Sequence, residues 1–198
     1  MKTLFAVIFT CAALFTGPAF AKTESFKFDL GHTELMFSYR HMGMSRSYVQ
    51  FKGIDGIVNM DVDAPEKSSV DVTIDLKTVD TGLDVFDKHI QGKDFFDTAN
   101  FPKATFKSTK VEAAGGKKYK IHGDLTIKGK KLPVILDTTF IVAQPHPLGI
   151  IVAKYKEVYV AAFSARTTVK RSAFGMGKFA PATSDEVEII IETEMFRQ

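Results

Sequence analysis

Residues 69–79 read SVDVTIDLKTV, and their alternation decides the fold. Val70, Val72, Ile74 and Leu76 fall on one side, and Asp71, Thr73, Asp75 and Lys77 on the other. Successive side chains point to opposite faces of a strand, so this is a ribbon with one dry face and one wet face. Residues 118–129, KYKIHGDLTIKG, repeat the pattern with Tyr119, Ile121, Leu125 and Ile127 against Lys120, His122, Asp124 and Lys128. Residues 186–196, EVEIIIETEMF, do so with Val187, Ile189, Ile191 and Met195. Less regular strand signals cover 25–30, 34–40, 48–52, 56–62, 104–111, 132–142 and 158–170, with Gly115-Gly116 and Gly129-Lys130 as turns between them. No long helical period is present. Short helical turns are expected at 42–45 and 83–91, and PHPLG at 145–149 reads as a loop or an irregular strand edge. Many consecutive strands with one apolar face must close on themselves or stack as two sheets. Closure also removes exposed edges. Periodicity alone leaves barrel and sandwich open, and 18 Phe with no Trp can line a cavity as readily as fill a core.

Residues 1–21 read as a secretory signal. Lys2 supplies the positive end, Leu4 to Phe15 the apolar middle, Gly17-Pro18 the break, and Ala19-Phe20-Ala21 the small-x-small cleavage pattern. The apolar run is short for a bilayer span. Removing 21 of the 198 residues would leave 177, a single domain over 22–198 delivered to the periplasm. Cys11, the one cysteine, would depart with the signal, leaving a chain without thiol or disulfide in an oxidising compartment. Losing Lys2 leaves 25 Lys and Arg against 23 Asp and Glu. Export and this mixed charge both disfavour nucleic acid as a partner.

Catalytic and metal signatures are absent from the sequence. There is no G-x-S-x-G, and His32, His41, His89, His122 and His146 form no H-x-H or H-x-x-x-H pair, so neither catalytic nor metal-ligating residues are assigned. His122 and His146 read as ordinary exposed residues. Asp61, Asp63, Asp71 and Asp75 read as wet-face carboxylates explained by solvation. The stretch DKHIQGKDFFDTANFPKATF at 87–106 is unusual, because it sets Phe95, Phe96 and Phe101 among charges. Either it caps a core or it closes a pocket for something apolar.

Several segments taken in order resemble the YceI-like, polyisoprenoid-binding family. GHTELMFSYRHMG resembles its His-x-x-x-x-Phe-x-x-x-His segment at His32, Phe37 and His41, and FKGIDGIVNMD its Phe-x-Gly hairpin. VDVTIDLKTVDTGLDVFDKHIQGKDFFDTANFPKATFKST carries the Val-Asp-Thr turn, the Asp-x-His-Ile segment, the Asp-Phe-Phe-Asp pair and the Phe-Pro-x-x-x-Phe strand start. GDLTIKGKKLPVIL and DEVEIIIETE match the later hairpin and the closing strand. One segment departs from the pattern: in KRSAFGMG, Ala173 stands where the family has an acid, between Arg171 and Phe174. The resemblance implies an all-β fold, an antiparallel eight-stranded lipocalin-like barrel with short helical segments near one mouth. It also implies a non-enzymatic, exported protein holding a polyprenyl chain or similar long-chain lipid, as carrier or reservoir, without a further cofactor. Two other readings use the same chain: an isomerase or cyclase of hydrophobic substrates, and a stress-related interaction protein with a filled core.

On this reading the ligand-binding candidates begin with Phe95 and Phe96 over a mouth, and Phe37 and Tyr39 on the face of Leu35. Phe51, Phe86, Phe106, Phe140, Phe163 and Phe174 follow as wall or core. Asp87-x-His89 places a polar pair near the Phe pair, where it would meet a head group or fix a turn. From Lys103 to Lys131 nine lysines face only Glu112 and Asp124. On a hairpin they would present a positive face to anionic lipid, or guard strand edges. A homodimer is compatible with the sequence, which leaves the oligomeric state open.

Overall fold

The computed structural model describes residues 23–198, so the expected secretory segment lies outside the described residues. Eight antiparallel strands close into a barrel in chain order: β1 (Glu24–His41), β2 (Ser45–Met60), β3 (Ser69–Asp80), β4 (Lys103–Ala113), β5 (Lys118–Ile127), β6 (Lys130–Pro145), β7 (Tyr159–Lys170) and β8 (Glu186–Arg197). Each pairs with its neighbour, and β8 returns to β1. Barrel and sandwich were indistinguishable by period, and this last pairing decides between them.

Register aligns the apolar faces. Val72 of β3 pairs Phe106 of β4, which pairs Leu125 of β5, which pairs Leu132 of β6. On the other side Ile191, Leu35, Phe51 and Val79 form a matching row across β8, β1, β2 and β3. Phe106 fits because Gly123 lies beside it. A Cβ on Gly123 would stand 2.4 Å from Phe106 Cζ, so the ring lies against bare β5 backbone. A glycine inside a strand commonly marks such a close approach.

Two pairs of short strands expected from sequence are single long ones. Residues 25–30 and 34–40 both belong to β1, joined through an irregular register between Phe28 and Thr33. Residues 48–52 and 56–60 both belong to β2, with an irregularity at Phe51 and Gly53. A bulge shifts the alternation by one residue, so Phe26 and Phe28 are out of phase with Leu35, Phe37 and Tyr39. Read by period alone, such a strand looks like two.

The β3–β4 connection carries the one α-helix among the described residues, α1 (Asp84–Gln91). Acids Asp84 and Asp87 occupy its first turn, and Lys88 and His89 its last, each favourable to the helix dipole. The helical turn expected at 42–45 is instead a tight turn, closed by Met44 N–H donating to His41 O. PHPLG becomes a 3-10 turn at Pro147–Ile150.

The connections divide between two ends. The turn at 42–44, the 81–102 segment with α1, the β5–β6 turn and residues 171–185 lie at one, the α1 end. Residues 61–68, 114–117 and 146–158 lie at the far end. At the α1 end Ile90, Phe96, Phe174 and Met176 are buried with the strand residues Leu35, Phe51 and Leu76. At the far end Phe26, Met60, Ala161 and Met195 form a smaller cluster, and Phe28 packs against both. Between these two clusters the barrel is hollow.

Candidate ligand-binding cavity

The hollow is a cavity of about 220 Å³, and all eight strands contribute to its wall. Strand β3 supplies Val70, Val72, Ile74 and Leu76, the dry face read from sequence, and β8 supplies Val187, Ile189, Ile191, Thr193 and Met195. Several of these side chains, Val70, Ile74, Ile189 and Ile191 among them, are only half-buried although they point inward. They face empty space instead of one another. Among the 33 wall residues the polar side chains are Thr138, Thr167, Thr193 and Arg171.

The sequence candidates separate into three groups. Phe37, Phe51, Phe95, Phe96, Phe106, Phe163 and Phe174 stand in the cavity wall. Phe96 closes the α1 end from inside, edge-on to Phe51 with centroids 5.4 Å apart and to Phe37 at 6.0 Å. Phe140 lines only a second chamber, described below. Tyr39, Phe86 and His89 are not in the wall. Tyr39 is buried core beside Phe37. Phe86 and His89 belong to a rim cluster, where the His89 ring meets Phe86 at 6.1 Å, Phe95 at 5.0 Å and Phe179 at 6.5 Å. Asp87 and His89 do not share a face, because they sit two residues apart on a helix. Asp87 Oδ1 accepts the N–H and the hydroxyl of Thr81, both at 2.7 Å, and so fixes the turn into α1. The question raised by residues 87–106 therefore has a double answer: Phe96 plugs, and Phe95 bridges cavity and rim.

Arg171 was passed over in the sequence, and its role shows only in three dimensions. It opens the 3-10 turn at Arg171–Phe174 and is 7% exposed in the cavity wall. Its guanidinium donates to the carbonyls of Ser184 and Thr183 at 2.8 Å, of Lys178 at 2.8 Å, and of Met176. Burial pulls its pKa down, while nearby Asp185 pushes it up. It remains the cation that gathers the whole 171–185 loop. Ala173 is exposed, and the carboxylate beside Arg171 is that of Asp185. Asp185 accepts from Ser172 N–H at 2.8 Å and Ser172 Oγ at 2.7 Å, and these bonds hold its pKa below the usual carboxylate value.

At the far end the main cavity adjoins a chamber of about 60 Å³. The two share Val58, Val70, Ile121, Thr138 and Phe163 as walls. Asp61, expected on a wet face, is instead 2% exposed and stands in this chamber's wall. Strand β2 ends at Met60, and the chain turns inward there instead of continuing the alternation. The sequence signal was available: Asp61 Oδ1 accepts the N–H groups of Asp63 and Ala64, the Asx turn that Asp favours before Pro65.

Other polar candidates hold local structure. His122 is half-buried and bonds Glu112 at 2.7 Å, and His146 stacks on Tyr155 with centroids 4.0 Å apart, so neither is simply exposed. Glu112 is held below its usual pKa by Lys110 first and His122 second. Asp29, His32 and Glu194 converge at the β1 bulge, on the outer surface, and the Asp29 hydrogen bond raises the His32 pKa. Of the nine lysines from 103 to 131, Lys107 faces Asp71 at 3.4 Å, Lys110 pairs with Glu112, and Lys120 faces Asp137 at 3.1 Å. Acids from neighbouring strands thus dilute the positive face that the linear run suggests.

The comparisons with known proteins agree with this architecture. Residues 26–195 match the family model described as the YceI-like domain. The chain belongs to the YceI-like family. A UPF0312 protein of Ectopseudomonas mendocina is 34% identical over 198 residues, covering 100% of both chains. The crystal structure of Burkholderia cenocepacia BcnA superposes with a TM-score of 0.74 at 29% identity, covering 84% of this chain and 98% of that one. A polyisoprenoid binding domain from Saccharophagus degradans, implicated in plant cell wall breakdown, shares the fold with a TM-score of 0.57 at 14% identity, over 89% of this chain and 100% of that one. The YceI-like barrel is therefore hollow in this chain, with apolar walls and a polar residue near each end.

Proposed function

We propose that this protein is an exported, non-catalytic binder of a long-chain lipid of the polyprenyl type, acting as a carrier or reservoir in the periplasm. The observation that carries the reading is the apolar cavity built from the inward face of every strand. The Saccharophagus degradans domain, described as polyisoprenoid binding, lends the ligand class. An enzyme would need convergent polar groups in the cavity. Here the wall offers three threonines and an Arg171 already bonded to backbone carbonyls, which favours binding over chemistry. Burying one five-carbon isoprene unit gains ~3–4 kcal/mol gross. Ordering the chain leaves about 1.5 kcal/mol net at ~0.3 kcal/mol per heavy atom. About five or six buried units therefore reach micromolar affinity.

The test is organic extraction of the purified full chain followed by mass spectrometry. A stoichiometric, chemically unaltered long-chain lipid is expected. A protein that yields none, and takes up no prenyl probe, would remove the reading; recovery of a modified lipid would turn it toward catalysis.

Loading at a membrane fits Lys103, Lys118, Lys130 and Lys131, which are exposed on strands β4 to β6 and have no ion-pair partner among the described residues. Each is worth about 1 kcal/mol near an anionic surface, before screening by salt. Flotation with acidic vesicles should retain the protein at low salt and lose it at high salt. Equal recovery with neutral vesicles would end the membrane part of the proposal.

A further inference from the structure

The far chamber contains a polar atom to which the lipid reading gives no role. The Asx turn uses one oxygen of Asp61: Oδ1 accepts from Asp63 N–H at 3.1 Å and Ala64 N–H at 2.8 Å. The Asp61 N–H donates to Ser68 Oγ at 3.0 Å. The other oxygen, Oδ2, is buried and accepts no hydrogen bond among the described residues. The chamber wall around it includes Met60, Val70, Val111, Tyr119 and Phe140, and no Lys, Arg or His. Leaving a buried carboxylate oxygen unpaired is costly, and native structures seldom tolerate it without a reason. An Asn would close the same turn with one carbonyl oxygen, so the turn explains Oδ1 and leaves Oδ2 unexplained.

Asp61 stands in the wall of a chamber of about 60 Å³, which exceeds the ~10–15 Å³ that one water needs, and its covered Oδ2 meets a donor there only when the carboxylate rotates toward the chamber. Two of its walls, Pro65 and Val111, also border a surface groove flanked by Lys110, Glu112 and Lys120. The α1 end, by contrast, is filled by Phe96, Phe174 and Met176.

We propose that Asp61 Oδ2 receives the polar terminus of the cavity's ligand, and that this terminus is a hydrogen-bond donor, a hydroxyl or an N–H. The assignment rests on the lipid reading above and deepens it. The apolar chain runs through the main cavity toward Phe96 and Phe174, and the head stays at the far end. A phosphate or carboxylate head is disfavoured, because it would face the Asp61 carboxylate in an apolar chamber without a cation. An ether or hydrocarbon terminus fits but leaves Oδ2 unpaired.

The experiment titrates the delipidated full chain with geranylgeraniol, its methyl ether and geranylgeranyl phosphate. The alcohol should bind at least about ten-fold tighter than the ether, the scale of a hydrogen bond to a charged group, and the phosphate weakest. Asp61→Asn keeps an oxygen for the turn and presents an NH₂ group in place of Oδ2. It should abolish or invert the preference for alcohol over ether. Equal affinity of the wild-type protein for alcohol and ether, or tightest binding of the phosphate, overturns the assignment and leaves the lipid reading standing. An equal loss for both neutral ligands in the variant also overturns it, because it marks a purely structural role. Binding of none of the three overturns both readings.

Discussion

Arg171 and Asp61 are buried charged side chains in one cavity system, at opposite ends, and the fold treats them in opposite ways. Arg171 has its nitrogens on the carbonyls of Met176, Lys178, Thr183 and Ser184. Asp61 has one oxygen occupied and one without a donor among the described residues. The first arrangement is what a structural charge requires: a long donor fork, spent on backbone that would otherwise lie unpaired. The second is what a receptor looks like before its ligand arrives. The surroundings differ in the same sense. Around Arg171, Phe96, Phe174, Met176 and Ile90 fill the barrel end. Around Asp61 there is a chamber and a groove. One end of the barrel is built as a stopper and the other as a socket.

The strongest way to break this contrast is to remove the charge from the stopper. Arg171→Met keeps the stem, which packs in the wall, and deletes the donors. Four loop carbonyls then lose their partner, and each must find water or stay unpaired. The expected loss is about 3 kcal/mol of stability, which for a chain of this size lowers Tm by roughly 6–12 °C. Thermal unfolding followed by circular dichroism reads it. A fall below about 1 kcal/mol would mean that the 171–185 loop is held by its apolar contacts, and that Arg171 is free to serve a ligand. The stopper would then be a second socket.

The two ends were not equally legible in the sequence. The barrel wall was plain, because alternation in 69–79, 118–127 and 186–196 translates directly into an inward face once the sheet closes. The cavity itself was not. Period-2 patterning says which side chains are dry, and hollow and solid interiors have the same pattern. What makes this interior hollow is distributed over many positions, such as Gly123 letting Phe106 lie flat against β5. Phe95 and Phe96 were identified from their odd setting, and the helix that precedes them separates their roles. Asp61 was misread because strand logic was carried one residue past the end of β2. Arg171 was passed over because its four acceptors lie 5 to 13 residues downstream and are backbone atoms, on which side-chain patterns are silent.

Acid should sharpen the same contrast, with a smaller effect. Three carboxylates with lowered pKa hold the α1 end: Asp80 through Lys52, Asp94 through Lys178, and Asp185 through Ser172. The Lys178–Asp94 ion pair ties the segment after α1 to the 171–185 loop, although both partners are about half exposed. A carboxyl group whose folded pKa is depressed contributes stability that is complete above its unfolded value. That contribution disappears as pH falls through the folded one. The ordinary value here is 3.8 for all three, so the window lies below about pH 4. Among the described residues the far end has Glu112 alone in this state, held by Lys110 and His122 on the outer surface. Lowering the pH from 5 to 3 should therefore lower the amide protection factors, taken relative to the intrinsic exchange rate at each pH, in 92–98 and 171–185 before those in 61–68. Protection lost first around Asp61 would contradict the assignment of stopper and socket, because it would show the better-tied end to be the one with the unpaired carboxylate.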